Sequence, residues 1–116
     1  MPKSTPEEVK IRKEAIENAT KYATEIPFKV METAYNSMEV MMIMAKKGIQ
    51  NSLSDAGVGA LCARTAVVGA YFNVRINAKD IKDRVFAEEI LFKAKEIYDK
   101  TNVLEKEMIE LIDTKI

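Results

Sequence analysis

Apolar residues recur along the chain at spacings of three and four, the period of an amphipathic helix, and no stretch alternates as a half-buried strand would. Four helices are expected. The first opens at Thr5, followed by Pro6, Glu7 and Glu8. In such a capping box the Thr hydroxyl takes one orphan amide and the Glu carboxylate reaches back to the cap amide, while Pro occupies the first position, where no N–H is needed. Val9, Ala15, Ile16, Ala19, Tyr22, Ala23 and Ile26 then share one face. Pro27 lacks an N–H and is expected to end this helix and start the next. The second runs from about Pro27 to Lys47, with a core stripe of Phe28, Met31, Ala34, Tyr35, Met38, Met41, Met42 and Ala45. Lys46 and Lys47 suit its negative end, and Gly48 suits a left-handed residue after it.

Residues 48–53 read as a loop, with Ser54 as the next N-cap and Asp55 as a favourable first-turn charge. The third helix extends to about Val74 and is apolar all round, which calls for burial on every side. Its small residues, Ala56, Gly59, Ala60, Ala63, Ala66, Gly69 and Ala70, let neighbouring helices approach closely. A polar turn spans residues 73–83. Asp83 caps a fourth helix carrying Phe86, Ile90, Ala94, Ile97, Leu104, Met108, Leu111 and Ile112, with a bend expected at Thr101-Asn102. The fold class is therefore all-α, a single helical domain over residues 1–116 with a buried central helix. Such a helix needs more neighbours than three, so an oligomer, or further sequence, is expected to cover it.

Composition narrows the chemistry. Eighteen basic residues balance eighteen acidic ones, which gives no bulk attraction to nucleic acid or an anionic membrane. The apolar run 56–76 has the length of a membrane span, but Arg64 near its middle favours a packed helix over one in lipid. There is no histidine, so proton transfer falls to Asp, Glu, Lys, Tyr or water, and the common zinc sets are excluded. No metal is expected. The single cysteine, Cys62, cannot form an internal disulfide and reads as a small buried hydrophobe. The start of the sequence has no signal-like apolar region, and a cytoplasmic location is expected.

Two segments carry a resemblance. Ser54-Asp55-Ala56-Gly57 at a helix start, and Asn73-Val74-Arg75-Ile76-Asn77 about one helix later, resemble the cyclodeaminase/cyclohydrolase family, which includes the C-terminal domain of formimidoyltransferase-cyclodeaminases. Pro2-Lys3 and Thr5-Pro6-Glu7-Glu8 look like the same family's helix start. The resemblance covers the C-terminal half of the family pattern. The Gly-rich first half has no counterpart here, so a homo-oligomer or a missing N-terminal half is expected to complete the fold. What the resemblance implies is all-helical, oligomeric structure and folate one-carbon chemistry. The reaction is cyclisation of 5-formimidoyltetrahydrofolate to 5,10-methenyltetrahydrofolate with release of ammonia. The sister activity of a methenyltetrahydrofolate cyclohydrolase and a non-catalytic helical assembly module are the alternatives.

A tetrahydrofolate substrate asks for a carboxylate beside its amidine carbon, amides at the pterin edge and cations for the glutamate tail. The resemblance makes Asp55 the candidate catalytic carboxylate. Asn73, Arg75, Asn77, Lys79 and Lys82 are the candidate substrate-binding residues. Each has a plainer role: Asp55 a helix-start charge, Arg75 a salt bridge, Asn73 and Asn77 caps for free carbonyls, Lys79 and Lys82 a solvated pair. Arg64 is expected to pair across an interface, and Ser54 to serve only as a cap.

Overall fold

The computed structural model describes residues 5–48 and 50–116. They form three helices: α1 (Pro6–Lys47), α2 (Leu53–Ala78) and α3 (Arg84–Lys115), with one short 3₁₀ turn at Gln50–Ser52 before α2. The three lie side by side in a rod of 69 × 23 × 17 Å. Pro2 and Lys3, part of the resemblance above, fall outside the described residues.

The capping box forms as its sequence requires. Thr5 Oγ1 accepts from the Glu8 amide at 3.2 Å, and Glu8 Oε2 accepts from the Thr5 amide at 3.3 Å. The expected break at Pro27 does not occur, so the first two helices are one and the count is three. Proline inside a helix strips the carbonyl four residues back of its partner, here that of Ala23. Asn77 Nδ2, at the end of α2, donates to this Ala23 oxygen at 3.0 Å. The helix therefore continues because a neighbouring side chain replaces the lost bond.

The other helix ends differ from expectation for equally local reasons. Gly48 is extended (φ −76°, ψ 164°) rather than left-handed. Its lack of a Cβ is used instead for close approach, since a Cβ there would collide with the Met44 carbonyl oxygen. Lys115 Nζ reaches from the end of α3 to the Ala45 and Lys46 carbonyls at 2.8 and 2.9 Å, satisfying groups orphaned at the end of α1. Ser54 is not the cap of α2. That position is Ser52, which makes no side-chain cap bond, and the preceding 3₁₀ turn moves the helix start forward. The helix also runs past Val74 to Ala78, which shortens the polar turn to residues 79–83. α3 continues without a break through Thr101-Asn102. The Thr101 hydroxyl is fully buried and, among the described residues, has no hydrogen-bond partner.

The core is a line of three clusters along the rod. Met42, Ala45, Leu53, Ala56, Ala60 and Met108 fill one end. Met31, Val67, Ala70, Tyr71, Val74 and Ala94 fill the middle, and Ala78, Ile81 and Ala87 the other end. The methionine stripe of α1 and the apolar stripe of α3 thus pack as expected.

The first third of α1 does not. Its apolar stripe turns outward, leaving Ile16 and Tyr22 exposed, because α2 and α3 contact the face marked by Glu17, Lys21 and Thr24. Burial of α2 on every side is likewise not met. Val67 and Val74 are 0% exposed on one face, while Val58 and Ile76 on the opposite face are 60% and 61% exposed. The reason is numerical: α1 and α3 cover only half of its circumference. Cys62 sits on the open side and is exposed rather than buried. Arg64 pairs within the chain, its Nε 3.0 Å from Glu105 Oε2 on α3, instead of across an interface. The helix is long and apolar enough to cross a membrane by length and composition, with 33% of its most apolar window buried in the rod.

Candidate functional site

The turn after α2 is held on three sides. Glu17, on α1, accepts the Lys82 and Asp83 amides at 2.9 and 2.8 Å. Those two amides hold its carboxyl below the usual carboxylate range. Lys21, one turn further on, pairs with Asp83 at 3.0 Å. This bond, with the Phe86 amide that Asp83 caps, lowers the Asp83 carboxyl as well. Arg84 closes the turn by donating from one nitrogen to the Ala78 and Ile81 carbonyls, each at 3.0 Å. Sequence reasoning found the Asp83 cap but missed Glu17, Lys21 and Arg84. Their signal was weak, because all three are ordinary helix charges until the fold brings them to the turn.

Within this framework the candidate binding residues gather at one end of the rod. Asn73 and Arg75 are exposed on the last turns of α2, and Lys79 and Lys82 are exposed on the turn. The Arg75 guanidinium lies 5.4 Å from the centre of the Tyr71 ring, which itself stacks on Tyr98 at 4.7 Å. That stack fixes the platform, and among the described residues the guanidinium makes no ion pair, so its edge can meet an anion. Lys82 spends its backbone amide on Glu17, but its ammonium is exposed. Asn77 is half buried, and its amide nitrogen is engaged with Ala23.

Asp55 lies at the other end. It is exposed in the first turn of α2, and among the described residues its carboxylate makes no ion pair. Asn73 is five helical turns away, about 27 Å at 1.5 Å per residue. One chain therefore does not bring Asp55 and the Asn73–Lys82 group into one pocket. The two do share a face, since five full turns return Asn73 to the angular position of Asp55 on α2.

One cleft, of about 330 Å³, reaches the candidate group through Lys82 and is otherwise lined by Lys13, Glu14, Glu17 and Asn18 on α1; two others lie elsewhere. A cleft of about 290 Å³ between α1 and α3 is lined by Glu25, Lys29, Glu32, Phe86, Glu89 and Lys93 among others, and includes none of the candidate residues. A second, of about 220 Å³, lies between the start of α2 and the end of α3, bounded by Ser54, Gly57, Val58, Glu105, Met108 and Asp113 among others. Among the described residues no three acidic or cysteine side chains converge as a metal would need.

Comparison with known proteins gives a consistent result. The family profile described as Formiminotransferase-cyclodeaminase matches residues 1–96. A methenyltetrahydrofolate cyclohydrolase of Methylorubrum extorquens is 34% identical over all 116 residues, which cover 56% of its own length. Formimidoyltransferase-cyclodeaminases of Rattus norvegicus and Gallus gallus are 40% and 42% identical over 89 residues, 77% of this chain and 16% of the rat protein. The chain thus spans about half the length of the bacterial relative and a small part of the animal ones. An all-helical rod, the paired Ser54-Asp55 and Asn73–Asn77 segments along one helix, and a profile match over most of the sequence all agree: this chain belongs to the formiminotransferase-cyclodeaminase family.

Proposed function

We propose that this chain contributes a site for a tetrahydrofolate derivative and takes part in cyclising 5-formimidoyltetrahydrofolate to 5,10-methenyltetrahydrofolate with release of ammonia. N10 of the folate attacks the formimidoyl carbon and loses its proton. The former imino nitrogen gains protons and leaves as ammonia, and the product carries a positive charge shared between N5 and N10. Asp55 is placed in the role of the carboxylate that faces this charge. Asn73 supplies amide contacts to the pterin edge. Arg75, Lys79 and Lys82 attract the carboxylates of the glutamate tail. Asn77, whose nitrogen is committed to Ala23, contributes through its oxygen. Both the reaction and the location in the cytoplasm belong to this reading. The site is completed by another chain, either a second copy or the remaining part of the family fold.

The observation that carries the reading is the exposed Asp55 carboxylate, without an ion pair among the described residues, at the start of a helix whose far end displays Asn73 and Arg75, in a chain of this family. The test is a thermal shift with 5-formyltetrahydrofolate, which replaces the imino nitrogen by oxygen. A rise in melting temperature for the wild type that is lost in Asp55→Asn supports it. An equal rise in both removes Asp55 from the site, and no rise in either removes the folate reading.

The cyclohydrolase reaction is the second reading, favoured by the bacterial relative that matches the whole chain. There water adds to the methenyl carbon and the ring opens to the 10-formyl derivative. Ammonia release measured beside absorbance of the methenyl species separates the two.

A further inference from the structure

We propose that Glu17, on α1, is the positioning residue for Lys82: its carboxylate fixes the backbone from which the Lys82 side chain reaches the anionic tail of the substrate. The role of Lys82 toward that tail rests on the folate reading above; the hold of Glu17 on the turn does not.

The connection between α2 and α3 closes on its own backbone only in its first part. The Asp80 and Ile81 amides donate to the Asn77 and Ala78 carbonyls at 3.2 and 3.3 Å. Arg84 then holds the Ile81 carbonyl, and Lys21 holds the Asp83 carboxylate. The two amides between these supports, those of Lys82 and Asp83, go to Glu17, one to each carboxylate oxygen, at 2.9 and 2.8 Å. Both are shorter than the backbone bonds of the turn, as bonds to a charged acceptor are. Two adjacent amides held by one planar group fix the place and the direction of the chain at Lys82.

Packing does not do this in its stead. Thr24 is the first buried residue of α1, and Ile16, beside Glu17 in sequence, is exposed. Polar bonds therefore set how this part of α1 lies against the turn. Glu17 and Lys82 also line the same cleft of about 330 Å³, yet among the described residues they form no ion pair with each other. The carboxylate oxygens are engaged by the amides, and the ammonium stays open to a ligand.

Arg75 supplies an internal contrast. It is placed by the Tyr71 ring, 5.4 Å away, and not by the turn. Glu17 is therefore expected to matter for Lys82 and not for Arg75.

Charge and position predict opposite signs. A carboxylate beside a lysine that binds an anion repels that anion, so by Coulomb's law alone its removal tightens binding. If Glu17 instead holds Lys82 in place, its removal weakens binding.

The test is the dissociation constant of 5-formyltetrahydrofolate, measured by isothermal titration on the full chain. Glu17→Gln removes the charge and turns a donor toward one of the two amides, and is expected to weaken binding about threefold. Glu17→Asp keeps the charge, falls one methylene short of the turn, and is expected to weaken it as well. In the Glu17→Gln background Lys82→Ala should cost nothing further, while Arg75→Ala costs as much as in the wild type. Tighter binding by Glu17→Gln, or a full additional loss from Lys82→Ala, overturns the proposal.

Amide hydrogen exchange reads the hold without folate. Glu17→Gln is expected to speed exchange at Lys82 and Asp83 about tenfold, with the rates of the core residues Val67 and Val74 unchanged. Unchanged rates at the turn, or an equal rise in the core, overturn the local hold. If the wild type does not bind 5-formyltetrahydrofolate, the folate reading fails, while exchange still decides whether Glu17 fixes the turn.

Discussion

α2 has two apolar faces that share a sequence character and differ in fate. One face holds Val67 and Val74 at 0% exposure between α1 and α3, and the other leaves Val58 and Ile76 about 60% exposed. The helix has little amphipathic character, so periodicity alone does not say which face is covered. What decides is the number of neighbours. The difference teaches that the hydrophobicity of α2 exceeds what this chain can use. The surplus lies on the same side as Cys62, Gly69 and the two ends of the candidate site.

Truncating the same residue type on each face breaks the comparison most strongly. Val67→Ala is expected to cost about 2 kcal/mol of stability, through lost burial and the cavity left behind. Val58→Ala, measured by denaturant unfolding of dissociated chains, is expected to cost almost nothing. Equal costs would mean that Val58 is already covered within one chain.

Next in size is the stitch between α1 and α2. Asn77→Ala leaves the Ala23 carbonyl without its donor and is expected to cost 1–2 kcal/mol. In a Pro27→Ala background the helix supplies its own amide to that carbonyl, and most of the cost should vanish. A double-mutant cycle reads the coupling directly. An unchanged cost in both backgrounds would show that Asn77 acts elsewhere.

On the buried side, Thr101→Val is expected to raise stability by about 1 kcal/mol, because the hydroxyl it removes is fully buried and unbonded among the described residues. A loss of stability on thermal unfolding would mean that the hydroxyl has a partner in solution.

The smallest effect is a pH dependence. Glu17 and Asp83 both have carboxyls below their ordinary values, so they add stability that is present at neutral pH and lost as acid protonates them. The turn at residues 79–83 is therefore expected to loosen below about pH 4. Glu17→Gln should flatten that part of the profile when melting temperature is followed against pH. Asp83 is exposed and Glu17 only half buried, so the effect is small and weakens with salt.

Much of the fold was legible in the chain. The Thr5 capping box, the methionine stripe, the Asp83 cap and the α3 stripe follow from period and local chemistry, and the structure contains them all. The helix count was not legible, because Pro27 is a break only when nothing repairs it, and the repair comes from Asn77, fifty residues away in sequence. Nor was the outward turn of Ile16 and Tyr22, since periodicity identifies an apolar face but not whether a neighbour lies beside it. The residue types of the candidate site could be read from Ser54-Asp55 and Asn73–Asn77. Their separation could not be read as a shared pocket, because five turns of helix place them on one face but at opposite ends.

The most direct measurement of the central claim is the solution mass of the chain by sedimentation equilibrium. The open face of α2 is expected to be closed by a second copy, giving roughly 26 kDa, twice the 13.1 kDa of one chain. A single species of 13.1 kDa across the concentration range would contradict it.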